Sequence, residues 1–254
     1  MNLWIRSGVG LLLGVLLLTG CQSADGDNAE KRAKMAKEEK AAKKEEKESL
    51  RVAVNEETSK AWRDKKGKVK AIGAAAIRNT GKKAVELDSV QLYFLSKDKK
   101  LLAKKEVLAV VPKILKPGET AYVGGVHELT SLKEPDELDR VSVKPHVIPA
   151  LKSVPEIKLV DIKGDKDRKG KVSVKGTVKN ESTKEMKDIL LSAVLKDKQG
   201  RLLAVLHDYL NVKIPGGKSA SFTAEDHTLP KELMKQVDVN QSEVEAYPLV
   251  SGKQ

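Results

Sequence analysis

The feature that most constrains this chain is that it repeats itself. At an offset of 101, residues 77–103 align without a gap onto residues 178–204, with six of the 27 positions identical: Asn79/Asn180, Lys83/Lys184, Lys97/Lys198, Leu101/Leu202, Leu102/Leu203 and Ala103/Ala204. The flanks agree. Lys66-Gly67-Lys68-Val69 answers Lys169-Gly170-Lys171-Val172, and His127-Glu128-Leu129 answers His227-Thr228-Leu229. A period near 100 residues matches one small domain, so two copies of a single domain are expected at 61–150 and 151–254, meeting near Ile148-Pro149-Ala150 and each folding alone.

Each copy reads as strands. Val172, Val174, Gly176 and Val178 alternate with Lys171, Ser173, Lys175, Thr177 and Lys179, a period of two that predicts a half-buried strand with a lysine-coated outer face. Val90, Leu92 and Phe94 repeat the pattern and are answered by Leu191, Ala193 and Leu195. Asn79-Thr80-Gly81, Asn180-Glu181-Ser182, Lys116-Pro117-Gly118 and Pro215-Gly216-Gly217 supply turn chemistry between strands. Short helices are expected at 230–235 and 134–138. Many short strands punctuated by turns predict a mainly β chain of two tandem immunoglobulin-like β-sandwiches. An aliphatic core fits a chain of 254 residues that holds only two Trp, four Tyr and two Phe. So few rings exclude a reader of nucleic acid that stacks bases on aromatic side chains.

The N-terminus carries an address. Arg6 precedes an apolar run at 8–18, too short to span a membrane, and the run ends Leu18-Thr19-Gly20-Cys21. This resembles the lipobox of bacterial lipoproteins, which implies a signal peptide at 1–20, lipidation of Cys21 and a chain held on the outer leaflet of the plasma membrane, or on the outer membrane in a double-membrane cell. Cys21 is the only cysteine, which excludes an internal disulfide and any multi-cysteine metal site. Residues 21–60 read as a spacer. From 22 to 60 there are ten acidic and ten basic residues, rich in Ala, Lys and Glu at 29–50. Such a segment is either a solvated single helix or a flexible charged linker.

A lipobox, a charged spacer and a domain reading Val174-Lys175-Gly176-Thr177-Val178-Lys179-Asn180, then Leu195, Asp197 and Gly200, resemble the FxLYD family. The naming motif is reduced to Ala193-Val194-Leu195-Lys196-Asp197 in copy two and to Leu92-Tyr93-Phe94-Leu95-Ser96 in copy one. The resemblance covers about 66–125 and 169–224. It implies an immunoglobulin-like fold and brings neither catalytic residues nor a ligand.

The motifs of chemistry are sparse. Gly217-Lys218-Ser219 lacks the earlier glycine of a phosphate loop, and Asp165-Lys166-Asp167 has Lys169 and Gly176 where a calcium loop needs oxygen ligands. The matching Asp64-Lys65-Lys66-Gly67 makes a hairpin turn the reading for both. His127, His146, His207 and His227 show no ligand spacing. No cofactor or metal is expected, and no enzyme activity. The net charge of +12 is more informative. Lys65, Lys66, Lys68 and Lys70 cluster in copy one, as do Lys97, Lys99, Lys100, Lys104 and Lys105. Outside a membrane such lysines suit anionic wall polymers or lipid headgroups, not nucleic acid. The expected function is therefore a non-enzymatic binding or scaffolding module at the cell surface, with 61–150 meeting polyanion more tightly than 151–254. Two alternatives are an accessory factor docking a membrane enzyme or transporter, and a hydrolase with a site assembled between the sandwiches around His127 or His227.

Overall fold

The computed structural model describes residues 35, 37, 50–151, 157–168, 170–225 and 228–251. Cys21, its lipobox and nearly all of the spacer up to residue 49 lie outside the described residues, as does His227; Met35 and Lys37 are helical and exposed. Residues 45–254 form one compact unit. No helix among the described residues is long and apolar enough to cross a membrane.

The chain is mainly β and builds two sandwiches. The first holds β1 (Val52–Arg63), β2 (Val69–Asn79), β3 (Val85–Ser96), β4 (Leu101–Glu106), β5 (Ile114–Leu115), β6 (Thr120–Glu128) and β7 (Leu138–Pro149). Its sheets run β1-β2-β6 and β4-β3-β5, with β7 on the other edge of β3. The second holds β8 (Ile157–Lys166), β9 (Val172–Asn180), β10 (Met186–Lys196), β11 (Leu202–Ile214), β12 (Ser219–Glu225), α1 (Lys231–Gln236) and β13 (Glu243–Ser251), in sheets β8-β9-β12 and β11-β10-β13. The two layouts correspond strand for strand, except that the counterpart of β11 is interrupted between β4 and β5, where Pro112 has no N–H to give to a ladder. The helix expected at 134–138 is a 3-10 turn at Pro135–Glu137.

β1 begins at Val52, inside the stretch assigned to the spacer. Glu56 and Glu57 disguise the strand in sequence, and both carboxylates accept backbone N–H groups, Glu57 from Val143 and Glu56 from Leu202 at 2.6 Å. The repeated asparagines are structural. Asn79 and Asn180 are fully buried. Asn79 Nδ2 donates to the carbonyls of Lys83 (2.8 Å) and Leu115 (2.9 Å), and its Oδ1 accepts from Gly81 N. Asn180 does the same with Lys184, Ile214 and Ser182. Each side chain satisfies backbone groups that a buried turn would otherwise leave unpaired.

Two inner faces make the first core: Ala71, Ala75 and Ile77 of β2 face Leu92 and Phe94 of β3. Gly73 makes room for the ring, since a Cβ would stand a tight 3.1 Å from Phe94 and from Val141. The outer face of β2 is buried as well. Ile72 packs with Val174, Leu195 and Leu233 of the second sandwich, and Ala74 with Val194, Leu202 and Val205. β11 crosses the sheet strand by strand: Leu202 N reaches Glu56 on β1, Val205 meets Ala74 on β2, and His207 Nε2 donates to Gly124 O on β6 at 2.9 Å. Gly124 has no room for a side chain against its own neighbour in the ladder, since a Cβ there would lie 2.9 Å from that of Ala74. The two sandwiches thus share buried apolar surface.

The repeat makes the contact testable by exchange. Ala74 corresponds to Lys175 of copy two at the offset of 101, and Lys175 is exposed. Ala74→Lys buries an unpaired ammonium and is expected to cost at least ~3 kcal/mol in urea denaturation. Lys175→Ala should change stability by no more than about 0.5 kcal/mol. Equal effects would deny the interface.

Candidate functional site

The β3–β4 hairpin carries the lysines singled out by sequence. Lys97, Lys99 and Lys100 stand exposed in its turn, with Lys99 in the left-handed region at φ 61° where copy two has Gly200. Lys104 faces outward on β4, its Nζ 5.6 Å from the centre of the Tyr93 ring. Lys144 of β7, which sequence reasoning missed, stands over the same ring at 4.8 Å. Lys105 is separated from these. It pairs with buried Leu92, on the opposite face from Lys104, and its charge reaches His127. The expected cluster of five is therefore a tip of three, Lys104 beside Tyr93 and the inward-facing Lys105.

A second basic feature lies where the sandwiches meet. A groove of about 640 Å³ runs between the β1–β2 turn and the segment entering α1. Its walls carry Arg63, Lys65, Lys66, Lys70, Lys171 and Lys231, against Asp64 and Glu232, with Trp62 and Met234 contributing apolar surface. Part of this charge is already spent. Arg63 pairs with Glu134 at 2.8 Å, Lys70 with Asp64 at 3.4 Å, and Lys171 with Glu225. Asp64 in turn caps its own hairpin by accepting the amides of Lys66 and Lys68. The Lys68 amide is the leading cause holding that carboxyl below its ordinary range. Lys65, Lys66 and Lys231 have no ion pair among the described residues. The basic run at 65–70 was visible in sequence, except that Lys68 turns away to Glu128 at 2.9 Å. Lys171 and Lys231 were not, because only the contact between copies brings them to the same groove.

The three described histidines occupy three separate environments. His127 lies inside the first sandwich, its ring 5.9 Å from Phe94 and its Nε2 buried without a partner. Burial, aided by Lys105, lowers its pKa. His146 pairs with Asp88 on the surface at 3.1 Å. His207 bridges the sandwiches; with Nε2 donating to Gly124, its Nδ1 accepts from the Ser192 hydroxyl at 2.9 Å. Burial lowers the His207 pKa against the opposing pull of the Gly124 carbonyl. Among the described residues, no three His, Cys, Asp or Glu side chains are placed to share a metal ion.

No family model matches the chain, and no curated protein matches it. Among solved structures, a calcium-binding mutant of β-glucuronidase 2 from Bacteroides uniformis shares 12% identity over 66% of this chain and 23% of that one, with a TM-score of 0.19. A β-glucuronidase from glycoside hydrolase family 2 shares 15% over 66% and 21%, with a TM-score of 0.18. The chain spans under a quarter of the length of either, and at these scores the likeness carries no argument.

One acid at the contact yields a prediction. Glu245 sits opposite Ser192 in the ladder; burial, then the charges of Glu243 and Glu119, push its carboxyl from 4.5 up to about 7. The folded chain therefore binds more protons than the unfolded one between pH 4.5 and 7. This group's destabilisation is complete above that window and gone below it. His207 acts with the opposite slope, its contribution present above its ordinary pKa of 6.5 and lost as the pH falls below it. Glu245→Gln isolates the carboxyl: thermal melts should show it about 1–3 kcal/mol more stable than the parent at pH 8 and no more stable at pH 4.5. A gain independent of pH would assign the effect to packing.

Proposed function

We propose that this chain is a lipid-anchored, extracytoplasmic and non-enzymatic binding module whose paired sandwiches hold an anionic polymer at the cell surface. The reading rests on the basic groove between the sandwiches, where Lys65, Lys66 and Lys231, without an ion pair among the described residues, face the same space as Trp62. A cleft of this size suits a bound segment of chain or a small ligand. Cations gathered in it raise the local concentration of an anion, and an indole beside them gives apolar or sugar-like parts of that anion a surface to lie on. The FxLYD resemblance supports a surface module. The Leu18-Thr19-Gly20-Cys21 box supports the anchor, since acyl chains on one cysteine hold a protein to a bilayer through about 0.8 kcal/mol for each buried methylene. The fixed contact between the sandwiches supports scaffolding, because it holds the groove walls in one arrangement.

Two measurements test this. Cys21→Ser should move the protein from the membrane fraction to the soluble fraction; a variant that still partitions with detergent like the parent would remove the anchor from the account. In the full chain, Lys65→Gln with Lys66→Gln and Lys231→Gln should weaken retention on isolated cell-wall polymer roughly five- to tenfold, since each exposed cation contributes up to about 1 kcal/mol. Added salt should release the parent, as exposed charges are screened over about 8 Å at physiological ionic strength. Retention unchanged in the triple variant would exclude the groove, and retention indifferent to salt would exclude an electrostatic contact.

A further inference from the structure

The outer face of the β8-β9-β12 sheet is the counterpart of the buried outer face of β1-β2-β6, and its chemistry is inverted. Where copy one places Ile72, Ala74 and Ala76, copy two places Ser173, Lys175 and Thr177, followed by Lys179. The orientation is fixed by the inner residues: a Cβ on Gly176 would lie 2.6 Å from Ile162 and 2.9 Å from Phe222, so Lys175 and Thr177 point outward. The ladder then places like charges directly opposite each other. Lys158 pairs with Lys179, and Lys163 with Lys175. Between these rows lie Val160, Thr177 and Ser221, while Ser219 and Thr223 complete the lysine rows on β12. Lys158, Lys163 and Lys175 are exposed. The next row is acidic, with Asp165 and Glu225 opposite Ser173; Asp165 approaches Lys175 at 3.9 Å, Glu181 approaches Lys179 at 3.4 Å, and Lys158 and Lys163 have no ion pair among the described residues.

Opposed like charges in a sheet are destabilising, so solubility alone does not account for the stacked lysine pairs. Hydroxyls line the space between them, and among the described residues no large apolar side chain on this face is exposed. We infer that it is a docking surface for a linear polyanion of the phosphate-polymer class, which would lie along the strands. The two lysine rows are four residues apart along β9, about 13 Å at ~3.3 Å per residue, and the strands are ~4.8 Å apart. A chain with closely spaced negative charge covers both rows at once and turns the repulsion within each pair into shared attraction. The Thr and Ser hydroxyls between the rows can donate to the same anionic oxygens. A bilayer is the poorer fit, because the apolar side chain between the rows, Val160, is half-buried and does not project to insert between headgroups. This surface is distinct from the groove, so it can fail while the groove reading stands.

The test uses the full chain with long-chain inorganic polyphosphate as probe and phosphatidylglycerol vesicles as a second arm. A variant carrying Lys158→Gln, Lys163→Gln, Lys175→Gln and Lys179→Gln is compared with the hairpin variant Lys97→Gln, Lys99→Gln, Lys100→Gln and with the groove variant above. Thermal melts establish that each is folded. At ~0.15 M salt the sheet variant should bind polyphosphate at least about tenfold more weakly than the parent, and the hairpin variant less than about threefold more weakly. Equal losses in the sheet and hairpin variants would reduce the effect to net charge and overturn the inference. Undiminished binding by the sheet variant would also overturn it, and if the groove variant alone loses binding, the proposed function survives without this face. Binding to the vesicles through these lysines, with none to polyphosphate, would replace the polymer with a membrane surface.

Discussion

The structure depends on the burial of β2 on both faces. A strand at the centre of a small sandwich normally presents one face to solvent, yet Ile72 and Ala74 lie under the second sandwich while Ala71, Ala75 and Ile77 fill the first core. Small side chains make this possible, because β11 can cross close to the backbone of β1, β2 and β6 only where little projects. Apolar residues buried this way contribute about 25 cal/mol per Å² removed from water. The contact also carries directional elements: Glu56 receives the Leu202 amide and His207 donates to the Gly124 carbonyl. A covered face with fitted hydrogen bonds holds one orientation, which a linker alone does not.

That orientation sorts the charge. The apolar version of the repeat's outer face is consumed by the intramolecular contact, and the lysine version remains open on the second sandwich. The groove exists because the β1–β2 turn and the segment entering α1 are brought side by side. Acidic groups are distributed differently. Glu86 binds Lys113 at 2.9 Å, Glu243 binds Lys196, and the half-buried Glu245 has a raised pKa. Carboxylates thus serve the framework, while among the described residues several surface lysines have no ion pair.

Much of the fold was legible because the signal was local and repeated. Alternation in 172–179 and the recurrence of Asn79 as Asn180 mark equivalent strands and turns, and the turns do hold those asparagines in buried hydrogen bonds. The start of β1 was not legible, since Glu56 and Glu57 read as spacer until the amides they accept are known. The site was legible only as composition. Alternation could have separated Lys104 from Lys105, which face opposite sides of β4, and could have found Lys144 on β7. No local pattern could have joined Lys65 to Lys231, because that proximity arises from one copy packing on the other. The exchange of Ala74 for Lys175 between copies was a visible sign that the two outer faces have different fates.

The central claim is that the sandwiches form one rigid body. Spin labels on Lys144→Cys and Ser221→Cys, in a chain with Cys21 replaced by serine, place one probe on each sandwich at positions that are exposed. Double electron–electron resonance should return a single narrow distance distribution, unchanged by salt. A broad distribution, as expected for two domains tumbling on a linker, would contradict the buried face of β2 and the groove that depends on it.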